Sequence, residues 1–264
     1  MGLFSRNFDR PGPGVNKDEP RKKGAARFFE LFFRDLGDLV KLNLLFCICI
    51  IPTGAFFVLG IMGLHPGVMF ILSLLFAFPV GGALVSYYYY ISKMMRDDPS
   101  YVWFEFKRKF IENFKQAAPI GMLCTAFIYA QILLWATIFI SDVEPDLVIF
   151  VISAVSLLLF GMIVPYIFLH YSYIDLKTMR IIRNSFLMSF AYMPRSFMGA
   201  ILGGVIWILV ALYFPLSLLA LPILVVIGFS LSLLLCLTWV WKPFNTYFKI
   251  EETLVEREQE KEDE

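Results

Sequence analysis

Two histidines and four cysteines are the side chains of this chain best suited to bind a metal or to act as nucleophiles. None of the cysteines has the Cys-x-x-Cys spacing of a zinc or redox pair, and all lie in apolar runs, where a thiol behaves as a small apolar side chain: Cys47, Cys49, Cys124 and Cys236. The chain contains no Gly-x-Ser-x-Gly elbow, no His-Glu-x-x-His motif and no phosphate-binding glycine loop ending in Lys-Ser or Lys-Thr. We therefore expect no catalytic residue, no metal site and no cofactor.

Apolar residues dominate the composition. Hydrophobic residues make up 59% of the 264 residues, while charged residues make up 17%. Soluble domains rarely have such a composition. It predicts an integral membrane protein in contact with the lipid bilayer, and it gives no reason to expect a nucleic-acid partner.

Six apolar runs are each near the roughly 20 residues that a helix needs to cross the hydrocarbon of a bilayer. They are Val40 to Gly63, Val68 to Tyr90, Ile120 to Ile140, Leu147 to Tyr171, Met198 to Phe214 and Leu216 to Trp241. We predict an all-α, polytopic membrane protein with six transmembrane helices in a domain over 36–245. The alternative for the last two runs is a broken or re-entrant arrangement around Pro215 and Pro222.

The basic residues predict the orientation of these helices. All 23 lysines and arginines fall in four segments: 6–41, 93–115, 177–195 and 242–261. The connections 64–67, 141–146 and 214–215 carry none. By the positive-inside rule both termini and both long connections are cytoplasmic, so the six helices form three hairpins with short outer turns. His65 and His170 then lie on opposite sides of the membrane, cannot share a metal, and are expected to be structural.

The connection over 97–118 has the pattern of an amphipathic helix, with an acidic start at Asp97 and an end at Pro119 and Gly121. One predicted face holds Trp103, Phe104, Phe106, Phe110, Ile111 and Phe114, with Lys107 among them, and the other holds Glu105, Arg108, Lys109, Glu112 and Lys115. Two interpretations remain open: the helix lies in the interfacial plane of the membrane, or it docks a partner. The docking candidates are Trp103, Phe106, Phe110, Phe114, Arg108 and Lys109.

Two further segments resemble this one, and they complete the predicted organisation. A second cytoplasmic amphipathic helix is predicted over 175–194, with Leu176, Met179, Ile182, Phe186 and Phe190 beside Lys177, Arg180 and Arg183. An N-terminal tail rich in glycine, proline and charge, followed by an amphipathic approach to the first span, occupies 1–35. A charged cytoplasmic tail is predicted at 246–264, and its part from Glu251 to Glu264 is expected to be a solvated extension.

The span centres contain no Asp, Glu, Lys or Arg, so proton coupling is not expected. The intramembrane polar candidates are Asn43, Gln131 and His170. Asparagine and glutamine in hydrocarbon either bond a neighbouring helix, for roughly 1 kcal/mol, or contact a solute. A sugar path would combine Asn43 and Gln131 with Tyr129 and Trp135. The pairs Gly82–Ser86 and Gly199–Gly203 predict close helix packing.

Several motifs resemble those of the YesL-like family of bacterial integral membrane proteins. They are Pro-Gly-Pro-Gly-Val at 11–15, Lys-Leu-Asn-Leu-Leu at 41–45, Pro-Thr at 52–53, Arg-Asp-Asp-Pro-Ser-Tyr-Val-Trp-Phe-Glu-Phe at 96–106 and Phe-Ile-Glu-Asn-Phe-Lys-Gln at 110–116. Glu105 matches the family's usual acidic residue, and Asn113 to Lys115 match its Asn-Phe-Lys stretch. The resemblance implies a bacterial plasma membrane and a setting beside carbohydrate uptake genes of Gram-positive bacteria. It implies no activity and no catalytic residue.

Two functional hypotheses follow. The first is a non-enzymatic accessory protein that binds subunits of a carbohydrate ABC transporter through its cytoplasmic amphipathic segments. The second is a small permease or facilitator for a sugar or another uncharged solute. We favour the first, because a dedicated solute pathway should leave more polar residues in the spans.

Overall fold

The computed structural model describes residues 24–98, 100–140, 147–213, 219 and 221–262, and every regular element in these ranges is a helix. The helices are α1 (Ala25–Arg34), α2 (Leu36–Ile61), α3 (Pro66–Leu75), α4 (Phe78–Met95), α5 (Val102–Ile140), α6 (Leu147–Tyr173), α7 (Thr178–Ala191), α8 (Met193–Leu212), α9 (Leu221–Ile223), α10 (Phe229–Phe248) and α11 (Ile250–Glu262). A π-helical segment, Leu224–Gly228, joins α9 to α10. The all-α prediction is confirmed. The predicted tail before Gly24 and the predicted outer turns at 141–146 and 214–215 lie outside the described residues.

Five helical runs are long and apolar enough to cross a membrane: α2, α5, α6, α8 and the run from Leu224 to Phe248. The pair α3 and α4 qualifies only when it is taken as one span with a bend of 46°. The chain is therefore a membrane-spanning protein with five such helices in its described part, or six if the bent pair is one span.

The second predicted span, Val68 to Tyr90, is wrong as a single helix. α3 has only ten residues, about 15 Å at 1.5 Å per residue. Phe76 and Ala77 form a turn, and Pro79 then lies in the first turn of α4. Proline is suited to that position, because its missing N–H would have no partner at a helix start.

The predicted interfacial helix over 97–118 and the predicted span over 120–140 are one continuous helix. Pro119 lies inside α5 and does not end it. At 39 residues α5 is about 58 Å long, roughly twice the thickness of the bilayer hydrocarbon. The expected turn at Pro119 and Gly121 is therefore wrong, and the physical reason is the tight packing of both sides of Pro119 against α4, given below.

The boundaries near the C-terminus also differ from the prediction. Tyr192 alone separates α7 from α8, which begins five residues before the predicted span. Pro222 lies inside α9, and the irregular backbone is the π segment that follows. The charged tail is helical: α11 begins at the buried Ile250, and Glu252, Glu256 and Glu260 along it are exposed. Its description as a solvated extension stays a prediction.

The core is centred on α4. Nearly every α4 residue from Val80 onward is buried, between α2, α5, α6 and α10. A helix that is apolar on all sides is a buried helix, so protein rather than lipid explains much of this apolar run. Elsewhere Gly199 and Gly203 bring α8 onto α10: a Cβ at either position would lie 2.9 Å from a side-chain atom of Val240 or Cys236.

Candidate partner interface and intramembrane polar clusters

Glycine lets the backbones of α4 and α5 touch. A Cβ on Gly81 would lie 2.0 Å from the carbonyl oxygen of Ala117, and one on Gly121 would lie 2.2 Å from the amide nitrogen of Gly81. Gly82 faces Phe110 and Phe114 of α5 at the same contact. Helix α4 and the amino-terminal half of α5, residues 78–121, therefore form one tightly packed unit, the α4–α5 hairpin.

A buried ion pair joins the two helices near the loop that connects them. Lys93 and Glu105 are each only 8% exposed, and Lys93 Nζ lies 3.1 Å from Glu105 Oε1. Asp98 Oδ2 is 3.3 Å from the same nitrogen, and Arg108 pairs with the second oxygen of Glu105. The sequence analysis placed Glu105 on the polar face of α5, where contact with water is expected. That placement is wrong, because cations from two helices neutralise the carboxylate and allow its burial.

The basic residues of α5 are held by a tyrosine of α4. Lys109 Nζ lies 4.9 Å and Arg108 Cζ 5.8 Å from the centre of the Tyr89 ring, within the range of cation–π attraction. Arg108 also donates to the Tyr89 hydroxyl at 3.1 Å, and Lys109 pairs with Glu112 at 2.9 Å. These two docking candidates are therefore already partnered within the hairpin.

The aromatic docking candidates do not share one exposed face. Phe106 is 5% exposed and belongs to the core, while Phe110 and Phe114 are half-buried against α4. Trp103 is 63% exposed. Helix α4 covers the side of α5 that contains Val102, Phe106, Asn113 and Ala117. One part of the predicted aromatic face is therefore buried and the other part is exposed.

The exposed side of the hairpin combines aromatic, aliphatic and basic residues. We call it the hairpin surface; it consists of Tyr101, Trp103, Phe104, Lys107 and Ile111, all of them exposed. Phe104 is 64% exposed, as much as Trp103. A cleft of about 310 Å³ lies beside it, lined by Phe110, Ile111, Glu112, Phe114 and Lys115.

Helix α1 is tied to the end of α4 through one carboxylate, the Asp97 latch. Arg27 and Arg34 each lie 2.6 Å from a different oxygen of Asp97, and Arg27 also donates to the carbonyl of Met95. Asp97 has a positive φ of 62°, which few residues other than glycine adopt. Burial raises the pKa of Asp97, but the hydrogen bonds from Arg34 and Arg27 outweigh it and hold the pKa below its ordinary value.

Asn43, fully buried in α2, is inserted into the backbone ladder of the π segment. Its Nδ2 donates to the carbonyl of Val225 at 2.6 Å, and its Oδ1 accepts from the Ser230 amide at 2.9 Å. Tyr87 of α4 donates to the same oxygen at 3.0 Å. A side chain in this position replaces an intrahelical hydrogen bond, which accounts for the irregular helix there.

The other intramembrane polar candidates also bond neighbouring helices. Gln131 Nε2 donates to Ser156 at 2.8 Å, and its Oε1 accepts from Ser153, both on α6. Tyr129 shares a hydrogen bond of 2.9 Å with Thr53 of α2. Asn43, Gln131 and Tyr129 thus lie at three different helix contacts and do not line one path.

His170 lies at the junction of α6, α7 and α10 and is fully buried. Its Nδ1 is 2.7 Å from the carbonyl of Tyr166, so this nitrogen is the donor, and Ser185 Oγ of α7 lies 3.0 Å away. The ring packs edge-on against Phe244 and Phe248. Among the described residues Nε2 has no hydrogen-bond partner.

Sequence reasoning missed the partners that complete these clusters. Lys93, Tyr87 and Ser230 lie within apolar or aromatic runs, and their polar atoms meet Glu105 or Asn43 only through tertiary packing. A single lysine after four tyrosines was the one available signal for the buried ion pair.

Across the described ranges no three His, Cys, Asp or Glu side chains are grouped so that they could hold a metal ion. Comparison with protein-family models, curated proteins and solved structures found no match to the chain.

Proposed function

We propose that the protein is a non-enzymatic accessory component of carbohydrate uptake that binds another membrane protein through the hairpin surface. The observation that carries this proposal is the exposure of Trp103 and Phe104, at 63% and 64%, on the outer side of a helix whose inner side is fixed. Aromatic residues, tryptophan above all, are enriched at protein interfaces and often contribute most of the binding energy.

The packing beneath this surface favours binding. The Gly81–Ala117 contact and the Lys93–Glu105 pair hold the backbone of α5, so few degrees of freedom are lost when a partner binds. The paired state of Arg108 and Lys109 leaves Lys107 as the unpartnered cation on the described hairpin surface. It lies beside the aromatic side chains.

The intramembrane side chains support this function over a permease. Both groups of the Asn43 amide and both groups of the Gln131 amide are used in bonds between helices. A solute that bound either side chain would have to break those bonds. The permease alternative predicts flux of sugars into vesicles that contain only this protein, lowered by Gln131→Leu.

The setting comes from the family resemblance and from the charge distribution. Membership of the YesL-like family would place the protein in the plasma membrane of a Gram-positive bacterium, with subunits of a carbohydrate ABC transporter as its partners. The positive-inside rule puts both termini and the hairpin surface in the cytoplasm. Protease protection of tags at the two termini in right-side-out vesicles tests that orientation.

Affinity purification from the native host tests the function. We expect a transporter subunit to co-purify with the tagged chain from cells grown on polysaccharide, and Trp103→Ser/Phe104→Ser to reduce its recovery by about thirtyfold, the effect of losing one strong interface residue. The matched control is Phe29→Ser/Phe33→Ser, which removes two exposed aromatic side chains from α1. Unchanged recovery with the hairpin variant, while the protein still inserts into the membrane, would refute the proposal.

A further inference from the structure

Helix α7 is confined to the surface of the membrane by its connections. It follows α6, which ends at Tyr173, and it precedes α8, which begins at Met193. Both neighbours are candidate membrane spans. A 14-residue helix between two spans on the same side lies near the lipid headgroups.

Three arcs can be distinguished around this helix at 100° per residue. The first faces the protein and consists of the buried residues Ile181, Ser185, Met188 and Ser189. The second is the apolar arc of Met179, Ile182, Phe186 and Phe190, next to the first. Met179 is 76% exposed, Phe186 49% and Phe190 42%, although all are apolar.

The third arc is basic. Arg180 and Arg183 are exposed on either side of the exposed Leu187, and α7 contains no acidic residue. Among the described residues neither arginine has an ion-pair or hydrogen-bond partner. Arg27, Arg34 and Arg108, in contrast, are each paired with a carboxylate.

Three hydrogen bonds fix the rotation of α7 about its axis. Ser185 meets His170 Nδ1 at 3.0 Å, and Tyr171 donates to Thr178 at 3.0 Å. Gln116 of α5 donates to the carbonyl of Leu176, just before α7, at 2.8 Å. The apolar and basic arcs are therefore held in a defined orientation.

We propose that α7 binds anionic phospholipid, with its apolar arc at the boundary of the acyl chains and the guanidinium groups of Arg180 and Arg183 on the lipid phosphates. Charge complementarity identifies this occupant, because two unpaired guanidinium groups beside an exposed aromatic stripe match an anionic headgroup above acyl chains. The site is independent of the hairpin surface and of the proposed docking function.

Lipid retention measures this preference directly. The full-length protein is equilibrated in detergent with equal amounts of phosphatidylglycerol and phosphatidylcholine, and the retained lipid is identified by native mass spectrometry. We expect phosphatidylglycerol to be retained preferentially by the native chain. Arg180→Gln/Arg183→Gln should lower that preference about fivefold for each arginine, or roughly 25-fold for the pair.

The control removes two unpaired cations from elsewhere in the described chain. Lys107→Gln/Lys115→Gln lowers the net charge by the same amount but leaves α7 intact, so it should keep the preference. Equal retention of the two lipids by the native chain, or an equal loss in the arginine and lysine variants, would overturn the proposal. If the native chain and the arginine variant retain phosphatidylglycerol equally, and only the arginine variant loses a co-purifying protein, then α7 binds a protein partner. That result would also overturn the proposal.

Discussion

The amino-terminal half of α5 and helix α7 have the same sequence signature, yet they present different surfaces. Both carry aromatic residues at helical spacing next to basic residues. In α5 the cations Arg108 and Lys109 pair with Glu105 and Glu112, three residues away, and with Tyr89. In α7 the cations Arg180 and Arg183 have no acidic residue nearby in the helix and no described partner.

We infer from this difference that charge pairing, more than the count of basic residues, should determine what such a helix can bind. Where carboxylates already satisfy the cations, the remaining exposed groups are aromatic, and a preformed protein partner is the matching ligand. Where the cations are free, an anionic headgroup satisfies them.

The largest effect is expected at the glycine contact between α4 and α5, because α7 has no contact of this kind. Gly81→Val places a branched side chain where a Cβ alone would lie 2.0 Å from the carbonyl oxygen of Ala117, so α4 and α5 must separate. We expect a loss of more than about 3 kcal/mol of stability, measured by thermal unfolding in detergent. Gly54→Ala in α2, where no atom beyond the adjacent residues and the local helix backbone lies within 4 Å of the new Cβ, should be nearly neutral. A folded Gly81→Val protein with native stability would contradict the packing described.

The buried ion pair is the next element to test. Lys93→Met leaves Glu105 with only the partly exposed Arg108, and breaking a buried pair costs about 3 kcal/mol. The double variant Lys93→Met/Glu105→Leu removes both charges and should recover most of that stability. A double variant as unstable as the single one would mean that the pair is not the element that limits stability there.

These two tests bear on what the sequence could and could not predict. The apolar runs and the segregation of lysine and arginine predicted the helical class and the membrane. Periodicity gave the positions of Phe106 and Glu105 around α5, but not that α4 covers both. Similarly, the apolar run through α4 resembles a lipid-facing span because a helix buried in protein has the same composition.

The irregular features were beyond the sequence for a related reason. The π segment depends on Asn43, which precedes Ser230 by 187 residues. The continuity of α5 through Pro119 depends on Gly81, 38 residues earlier, through its contact with Gly121. Local signals at Pro119 favoured a helix end, and tertiary packing outweighed them.

A smaller effect is expected at the Asp97 latch, which gives the hairpin an ionic contact with α1. Asp97→Asn should cost about 1 kcal/mol, because the pair is partly exposed and solvent screens it. The pKa of Asp97 is lowered in the folded protein, so the contribution is present above the unfolded-state pKa and is lost as the pH falls through the folded-state pKa. The protection factors of the α1 amides, which correct for the intrinsic exchange rate at each pH, should therefore fall under acid conditions in the native chain. In Asp97→Asn they should already be lower and should not fall further with acid. An equal acid response in both would exclude the latch as its cause.

The variant with the smallest expected change in stability tests the comparison between α5 and α7 most directly. Leu187 is 56% exposed and lies between Arg180 and Arg183 on the basic arc of α7, so Leu187→Glu supplies the carboxylate that α5 has and α7 lacks. An ion pair with Arg183, four residues earlier, should stabilise α7 by only about 0.2–0.5 kcal/mol. The same pair should lower the preference for phosphatidylglycerol about fivefold, because one guanidinium then has an internal partner. Leu187→Gln is the matched neutral control. If Leu187→Glu keeps the full lipid preference, the pairing state of the arginines does not govern what α7 binds, and the contrast with α5 needs another cause.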